Sequence, residues 1–379
     1  MANRRLTVLQ ILPALESGGV ERGTLEVAAA LVAAGHRSIV VSAGGRLVED
    51  LVAGGSEHMC LPVARKSPAT LLQVRPLRRL LQAEQVDIVH ARSRVPAWIA
   101  WLAWRGMNER QRPRFVTTVH GLYSVNRYSA IMTRGERVIA VSDTARKYIL
   151  DNYSEVDSNK IVTIYRGVDS VEFPYGYKPD ATWLAAWFGK YPFLQGRKVL
   201  TLPGRLTRLK GHADFIDLIA GLVSRGMDVH GLIVGHLDPE RQSYVRELQQ
   251  QIAARGLSDR ITFTGRRDDM RDIYAASDLV LSLSNKPESF GRTVLEPLCM
   301  GVPAVGYEHG GVGEILARVY PHGRVPTGDR GLLAERVVHL LQSPQPVSRC
   351  DDLSRDTMLK STLELYRSLV NHPGDSTQA

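Results

Sequence analysis

The sequence predicts an α/β protein built from two doubly wound domains. Three observations carry this prediction. The chain has 379 residues, and single hydrophobic cores stop growing near roughly 250–300 residues. Short β-branched or apolar segments alternate with amphipathic segments in two separate series, a pattern typical of parallel strands joined by crossover helices. A segment rich in Pro, Gly and Tyr, GVDSVEFPYGYKPD, lies between the two series.

The two series of predicted strands set the expected domain boundaries. The first consists of LTVLQIL, SIVVS, VDIVHA, FVTTVH, RVIAVS and KIVTIY, and the second of KVLTLPG, VHGLIVG, ITFTG, DLVLSLS and PAVGY. We therefore predict an N-terminal domain over residues 1–170, a linker over 171–196 and a C-terminal domain over 197–351. Residues 352–379 should form a terminal helix with a frayed polar tail. Two domains imply a cleft between them.

Composition excludes several classes of protein. The chain is 44% hydrophobic and 23% charged, as in soluble proteins, and no apolar run approaches the roughly 20 residues of a membrane helix. The start MANRRLTVLQIL lacks a signal-peptide cleavage site, which predicts a cytoplasmic protein. Cys60, Cys299 and Cys350 are interpreted as structural, because three distant cysteines suit neither a disulfide framework nor a zinc cluster. No Asp-x-Asp, HExxH or GxSxG motif occurs, so neither a metal nor a serine nucleophile is expected.

Positive charge is concentrated in one part of the first domain. The formal net charge is +9, and the stretch 60–134 alone contains 13 Lys and Arg against 3 Asp and Glu. Such a patch suits nucleic acid, anionic lipid or an acidic substrate. Within it, Trp98, Trp101 and Trp104 precede four arginines between 105 and 114. They fit either a helix packed on the sheet or an anchor at a lipid headgroup layer.

The segment KPESFGRTVLEPLCMGVPAVGY contains two carboxylates, Glu288 and Glu296, around Phe290-Gly291 at a predicted helix start. The glycine permits close backbone approach, and free amides of the first helical turn can face a phosphate. Carboxylates beside a phosphate are best used as acceptors from neutral hydroxyls of a sugar or ribose. The alternative is that Glu288 caps the helix and Glu296 forms a surface ion pair.

A loop after the strand KVLTLPG carries Arg205 and Lys210. A planar guanidinium combined with a point charge suits a diphosphate, although two solvated surface cations are the alternative. Arg266 follows the strand ITFTG and is also expected to bind the ligand.

Three further strand-to-helix junctions carry unusual residues. Gly18-Gly19 in LESGGVERG allow an anion to approach a helix start, but a tight turn is the alternative. His120 ends the strand FVTTVH, where it can orient a substrate hydroxyl or be a structural histidine. The loop YEHGGVGEI contains Gly310, Gly311 and Gly313, with Glu314 opening the next helix.

Taken together, these motifs resemble the retaining family 4 of GT-B glycosyltransferases, whose two Rossmann-like domains face each other across a cleft. The resemblance covers nearly the whole chain through Gly18-Gly19, His120, RVIAVSD, IYRGVD, GRLTRLKG, ESFGRTVLE, GVPAVGY, GGVGE and VPTGD. The sequence departs from the family pattern at Arg292 and Pro297, and a proline in the helix interior would distort it.

The resemblance implies a role for each site residue. Arg205 and Lys210 would bind the donor diphosphate, Glu296 the ribose and Glu288 the donor sugar. Amides near Val294 and Leu295 would meet the phosphate, Gly19 would approach it across the cleft, and His120 would lie by the transferred sugar. The terminal helix would return to the first domain.

The expected function is transfer of a sugar from a nucleotide-diphosphate sugar to a hydroxyl of a glycan or glycolipid, with retention and without a metal or other cofactor. The basic first domain favours an anionic, membrane-borne acceptor such as a lipopolysaccharide core, with the protein peripheral on the inner face of the cytoplasmic membrane. The alternatives are a GT-B epimerase or phosphorylase, or a non-catalytic protein that binds nucleotide sugar or nucleic acid.

Overall fold

The structure is a computed structural model that describes residues 4–16, 18–236 and 242–371. The chain divides into two compact units. Unit 1 comprises the chain up to Arg166 and again from Asp356, and unit 2 comprises Gly167–Arg355. Most of the tail predicted to fray, residues 372–379, lies outside the described residues.

In the described part of unit 1, seven parallel strands form one sheet in the order β3-β2-β1-β4-β5-β6-β7. Its central strands are apolar and buried on both faces, as parallel sheets require. The strands are β1 (Thr7–Ile11), β2 (Arg37–Ser42), β3 (Glu57–Cys60), β4 (Ile88–Ala91), β5 (Arg114–Val119), β6 (Arg137–Ala140) and β7 (Ile161–Thr163). The strand order reverses between β1 and β4, where Val8 pairs with Ile88. Ligands of doubly wound sheets bind beyond the carboxyl ends of strands at such a reversal.

The helices of unit 1 pack their apolar faces on this sheet. On the helix Val74–Ala83, Leu77 and Leu81 are one turn apart and buried, while Arg75 and Arg79 face away and are exposed. The helices that precede β7 are α1 (Gly19–Ala33), α2 (Val48–Ala53), α3 (Val74–Ala83), α4 (Arg94–Arg105) and α5 (Asp143–Asn152).

Unit 2 repeats this architecture. Its described residues form a sheet of six parallel strands in the order β10-β9-β8-β11-β12-β13. They are β8 (Lys198–Pro203), β9 (Val229–Val234), β10 (Ile261–Gly265), β11 (Leu279–Ser282), β12 (Ala304–Tyr307) and β13 (Arg324–Val325). The order reverses between β8 and β11, where Leu200 pairs with Leu279. The helices are α6 (Ala181–Lys190), α7 (His212–Ser224), α8 (Gln242–Ala254), α9 (Met270–Ala275), α10 (Arg292–Cys299), α11 (Gly310–Val319) and α12 (Arg330–Gln342).

The segment 171–196, expected to be a linker, is instead part of unit 2. Asp180 caps α6 by accepting from the Trp183 amide at 2.8 Å. Trp183 and Trp187 are one turn apart, and their rings stack with centroids 4.9 Å apart. They pack against Val199 and Leu232 of the sheet. The Pro- and Gly-rich sequence before the helix concealed this amphipathic pattern.

The last helix, α13 (Arg355–Asn371), belongs to unit 1 from Asp356 onward. Its Leu363, Tyr366 and Leu369 join a core cluster with Val8 and Ile88. Tyr366 is fully buried, and its hydroxyl lies 2.7 Å from His90 Nδ1. The N- and C-terminal parts of the chain therefore share one hydrophobic core.

Candidate functional site

Two loops of unit 2 meet where its strand order reverses. One follows β8 and carries Arg205 and Lys210, and the other follows β11 and carries Glu288. Because β8 and β11 are hydrogen-bonded neighbours, their carboxyl ends place the loops side by side. Gly211 tightens this contact: its φ is +72°, and a Cβ there would lie 1.9 Å from the Leu283 carbonyl oxygen. Only glycine fits at this position.

The two loops and the start of α8 line a cavity of about 630 Å³. It is lined by Arg205, Thr207, Arg208, Leu209, Lys210, Ser243, Tyr244, Ser284, Lys286, Pro287, Glu288 and Ser289. The structure thus brings together three of the predicted residues, Arg205, Lys210 and Glu288. Sequence reasoning missed Ser284 and Tyr244, although Ser284 ends the predicted strand DLVLSLS.

The three predicted residues differ in how they are held. Arg205 is exposed and has no hydrogen bond or ion pair with any residue that the structure describes. Lys210 Nζ lies 2.7 Å from Glu288 Oε1, and both side chains are about three-quarters buried. The hydroxyl of Ser284 donates to the same carboxylate oxygen. A fixed cation-carboxylate pair therefore stands beside a guanidinium that is available to a ligand.

Glu296 is not among the residues that line this cavity. The Arg292 guanidinium donates to Glu296 Oε1 at 3.0 Å, and the Tyr274 hydroxyl donates to Oε2 at 3.0 Å. Burial raises the pKa of Glu296, and the charge of Arg292 opposes that rise. Burial also raises the pKa of Tyr274 well above its ordinary value, so Tyr274 acts as a hydrogen-bond donor. Arg292, noted only as a departure from the family, thus holds the second carboxylate.

The start of α10 provides amides that point out of the helix. Gly291, with φ +109°, is its N-cap, and Phe290 before it is buried. The amides of Val294 and Leu295 both donate to the Gly291 carbonyl oxygen at 3.1 Å, so they are already engaged within the first turn. The amides that precede them, of Arg292 and Thr293, are the ones a phosphate would meet.

Pro297 lies inside α10, at the sixth of its eight residues. It does not sit in the first turn, where a proline would be tolerated without cost. The helix ends two residues later, and the amide of Met300 closes it on the Pro297 carbonyl at 3.0 Å. The proline that was expected to distort the helix thus lies in the last turn of α10, which is short.

Arg266 is not brought to the cavity. It follows β10, which is separated from β8 by β9, and its guanidinium pairs with Asp268 at 3.3 Å. By contrast, the glycine-rich start of α11 contacts the backbone of Glu288. Gly311 donates its amide to the Glu288 carbonyl oxygen at 2.7 Å, and a Cβ on Gly310 would lie 2.6 Å from the same oxygen.

In unit 1, His120 and Gly19 meet through a residue that sequence reasoning did not select. Arg166 Nη1 lies 3.2 Å from His120 Nδ1, and Arg166 Nη2 donates to the Gly19 carbonyl oxygen. Gly18, with φ +145°, turns the chain into α1. Burial, together with the charges of Arg92 and Arg166, lowers the pKa of His120 well below its ordinary value. The imidazole is therefore neutral near pH 7.

A second buried arginine reinforces this cluster. Arg92 follows β4, is 5% exposed and donates to Gln10 Oε1 at 2.8 Å. A Cβ on Gly23 would lie 2.5 Å from Arg166 Nη2 and 3.2 Å from Arg92 Nη2, so both guanidinium groups press against the first turns of α1. Two cations thus lie at the point where the unit 1 strand order reverses.

The tryptophans of α4 are half-buried. Trp104 stacks on Phe115 of the sheet with centroids 5.9 Å apart. Trp101 carries two cations on its ring, Arg105 at 4.7 Å and Arg134 at 5.1 Å from the centroid. The helix therefore packs on the sheet at Trp104 and presents a basic aromatic surface at Trp101.

Two absences concern the described ranges only. Within them, no helix is both long and apolar enough to cross a membrane. The same ranges contain no cluster of three or more His, Cys, Asp or Glu side chains arranged to hold a metal ion.

The fold and loops define the class as GT-B, with two tandem Rossmann-like domains, which confirms the predicted fold class. The family model "Glycosyltransferase Family 4" matches residues 17–172, and "Glycosyl transferases group 1" matches residues 185–356. The chain belongs to the family 4 GT-B glycosyltransferases. It is a glycosyltransferase.

Similar proteins support the same assignment. The crystal structure of a glycosyltransferase from Rickettsia africae is 29% identical, covers 97% of this chain and 99% of its own, and has a TM-score of 0.86. The N-acetyl-alpha-D-glucosaminyl L-malate synthase of Bacillus anthracis is 28% identical over 79% of this chain and 76% of its own length. Anabaena HepE, solved with UDP-glucose, shares the fold at 21% identity and a TM-score of 0.78, covering 96% of this chain and all of its own.

Proposed function

We propose that this protein transfers a sugar from a nucleoside-diphosphate sugar to a hydroxyl of an anionic glycan or glycolipid, with retention at the anomeric carbon. One observation carries the donor assignment: the cavity at the unit 2 strand reversal holds Arg205, available to a ligand, beside the Lys210–Glu288 pair. HepE, whose structure contains UDP-glucose, has the same fold, which makes UDP-glucose a sensible first donor to test.

The chemical task is departure of the diphosphate from the anomeric carbon. Negative charge grows on the leaving phosphate, and donors fixed in advance stabilise it most effectively. In this proposal Arg205 forms paired hydrogen bonds with phosphate oxygens, and Lys210 supplies a second cation. The Arg292 and Thr293 amides add the positive end of the α10 dipole. These groups supply the positive charge, and we assign neither a cofactor nor a metal.

The two carboxylates bind neutral hydroxyl groups. Glu288 is held by Lys210 and Ser284, and its remaining acceptor capacity suits a hydroxyl of the transferred sugar. Glu296, held by Arg292 and Tyr274, is assigned to the ribose. In this proposal ribose hydroxyls replace Arg292 or Tyr274 as hydrogen-bond donors to the carboxylate.

Unit 1 is assigned to the acceptor. His120 is neutral, so it can accept a hydrogen bond from a hydroxyl or donate one. Gly18 and Gly19 leave the start of α1 open to an anionic group. Arg166 positions His120 and also fixes the Gly19 carbonyl.

The surface of unit 1 favours an anionic acceptor that is held at a membrane. Cations lie over aromatic rings at Trp101, at Tyr123 with Arg94 at 4.7 Å, and at Tyr128 with Lys66 at 4.6 Å. Aromatic rings combined with basic groups suit a lipid headgroup layer. Two relatives have names that point to such molecules. The phosphatidyl-myo-inositol mannosyltransferase of Mycobacterium leprae is 27% identical over 86% of this chain and 84% of its own length, and the lipopolysaccharide core biosynthesis mannosyltransferase LpsB of Rhizobium meliloti is 28% identical over 49% of each chain.

Product analysis with a panel of labelled nucleotide sugars tests the reaction. We expect release of nucleoside diphosphate together with a glycosylated acceptor, and an α-linked product from an α-linked donor. Isomerised donor would indicate an epimerase, and a requirement for inorganic phosphate would indicate a phosphorylase. Absence of turnover despite nucleotide binding would leave a non-catalytic binding protein.

Vesicle sedimentation tests the proposed association of unit 1 with a membrane. Binding to vesicles with anionic lipid at low salt should exceed binding to neutral vesicles, and should weaken as salt screens the charges. An Arg105→Ala, Arg134→Ala double variant should bind less. Equal sedimentation with neutral and anionic vesicles would contradict the surface assignment and leave the donor assignment intact.

A further inference from the structure

Two cysteines far apart in sequence lie together in unit 2. Cys299 Sγ and Cys350 Sγ are 2.6 Å apart, although 51 positions separate them in the chain. Both are partly exposed, whereas the third cysteine, Cys60, is exposed and lies in unit 1. A disulfide bond is about 2.05 Å long, so a small approach of the two sulfurs would allow one to form.

The surroundings of the pair connect it to the donor site. Cys299 is the last residue of α10 and follows Glu296 by less than one helical turn. Cys350 ends an irregular segment that begins after α12 and is tied to unit 2 by the Tyr175 hydroxyl, which donates to the Val347 carbonyl oxygen at 2.9 Å. The boundary between the units falls just beyond it, at Arg355.

We propose that Cys299 and Cys350 are a site of reversible oxidation, forming an intramolecular disulfide that cross-links the end of α10 to the segment before α13. This modification goes beyond sugar transfer and does not depend on which donor or acceptor is used.

The two thiols have unequal roles. The hydrogen bond from Cys299 lowers the pKa of the Cys350 thiol. The same hydrogen bond, together with burial, raises the pKa of Cys299. Cys350 is therefore the better nucleophile and Cys299 the resolving thiol, since the thiolate is the reactive form.

The step is a thiol–disulfide exchange with a low-molecular-weight disulfide such as glutathione disulfide. The Cys350 thiolate attacks one sulfur of the oxidant, forms a mixed disulfide and releases one thiolate. Cys299 then loses its proton to solvent and attacks the Cys350 sulfur, which releases the second thiolate. The protein pair loses two electrons and two protons, and the small disulfide gains them as two thiols.

A cross-link at this place would restrain the end of the helix that carries Glu296. It would also close a long loop containing β12, α11, β13 and α12, which restricts the unfolded chain. We therefore expect the oxidised protein to have a higher thermal midpoint than the reduced protein.

The experiment uses full-length Cys60→Ser protein, equilibrated with graded ratios of reduced and oxidised glutathione, then alkylated under denaturing conditions and weighed intact. We expect both alkylatable thiols to disappear together, with a mass loss of two hydrogen atoms and full recovery on reduction. The Cys60→Ser, Cys350→Ser double variant should instead keep one thiol or carry one glutathione.

Two results would overturn the proposal. One is a Cys60→Ser protein with two free thiols at every ratio, and the other is a protein carrying glutathione on both cysteines without an internal disulfide. Peptide mapping of the wild-type protein after equilibration with oxidised glutathione provides the same test without substitution: it should yield a Cys299–Cys350 cross-linked peptide, with Cys60 recovered separately. Recovery of Cys299 and Cys350 as unlinked peptides would contradict the proposal.

Discussion

The amino group of Lys210 lies 2.7 Å from Glu288 Oε1, at the edge of a cavity that Arg205 also lines. The pair joins two loops that follow neighbouring strands. A cation held in this way needs little reorganisation when a diphosphate arrives. The same contact means that loss of Lys210 also leaves a partly buried carboxylate without its cation.

Replacing Lys210 should therefore impair the reaction more than loss of one surface charge. Lys210→Met should lower kcat/KM for the donor by about 100-fold or more, the usual effect of removing one charge-stabilising group. Arg208→Met is the matched control, because Arg208 lines the same cavity but its guanidinium is exposed and paired with Glu247. Its loss should be under about 3-fold. Equal losses in steady-state turnover would contradict the role of Lys210.

Substitutions of Arg205 and Arg266 should have different effects on kcat/KM in the same assay. Arg205→Ala should lose about 100-fold in kcat/KM, and Arg205→Lys should recover only part, because an ammonium lacks the planar fork. Arg266→Ala should remain near the wild-type value, since Arg266 is absent from the cavity lining and pairs with Asp268. A loss at Arg266 as large as that at Arg205 would return it to the donor site, as the sequence alone suggested.

Arg292 should control the pH dependence of nucleotide binding. Burial raises the pKa of Glu296, and Arg292 opposes that rise, so Arg292→Leu should raise the pKa further. Binding that needs the carboxylate is lost as pH falls through this pKa. The acidic loss of UDP affinity should thus begin at higher pH in Arg292→Leu, as measured by calorimetry from pH 5 to 8. Glu296→Gln should bind more weakly with no such dependence, and identical profiles for wild type and Arg292→Leu would refute the assignment.

The stability of unit 1 should depend on the Tyr366 hydroxyl. Tyr366→Phe removes a buried hydrogen bond of 2.7 Å to His90 and should lower the free energy of unfolding by about 1–3 kcal/mol. Tyr165→Phe is a control, because its hydroxyl bonds to Asp143 on the exposed surface, where water can replace it. The free energy of unfolding is measured by urea titration, with hydrogen exchange of the amides in unit 1 as the probe. Equal effects in the two variants would contradict the prediction.

Because His90 is buried, the stability of unit 1 should depend on pH. Burial lowers its pKa well below the ordinary value, so between that pKa and about 6.5 the unfolded chain binds a proton that the folded chain does not. The free energy of unfolding should fall as pH drops below about 6.5, by up to about 1.4 kcal/mol per pH unit for this histidine. His90→Gln should show a shallower slope from pH 7 to 5, whatever its absolute stability. An unchanged slope would assign the acid sensitivity to other groups.

Sequence patterns predicted the strands well because a buried parallel strand is a short, nearly continuous apolar run. Once strand order is known, the loops with Lys210 and Glu288 must meet, since both follow strands at the same reversal. Short edge strands such as β13, which has two residues, contain too few apolar positions to be predicted from the sequence. The helix at 181–190 was missed because a turn-rich segment precedes it.

Other contacts could not be predicted because they depend on packing in three dimensions. Arg166 belongs to the motif IYRGVD, but nothing in the sequence shows that its guanidinium reaches both His120 and Gly19. Arg266 follows a strand just as Arg205 does, and only the strand order separates them. The separation of Cys299 and Cys350 along the chain says little about their distance in space.

The discontinuity of unit 1 has a consequence for how the protein is made. A ribosome synthesises Gly167–Arg355 as one uninterrupted stretch, so unit 2 has its whole sequence before α13 emerges. Unit 1 begins first, yet Leu363, Tyr366 and Leu369 of its core arrive last. During translation the part of this core that α13 covers therefore stays exposed until the end of synthesis. Transiently exposed apolar surface of this kind makes a nascent domain prone to aggregation and dependent on chaperones.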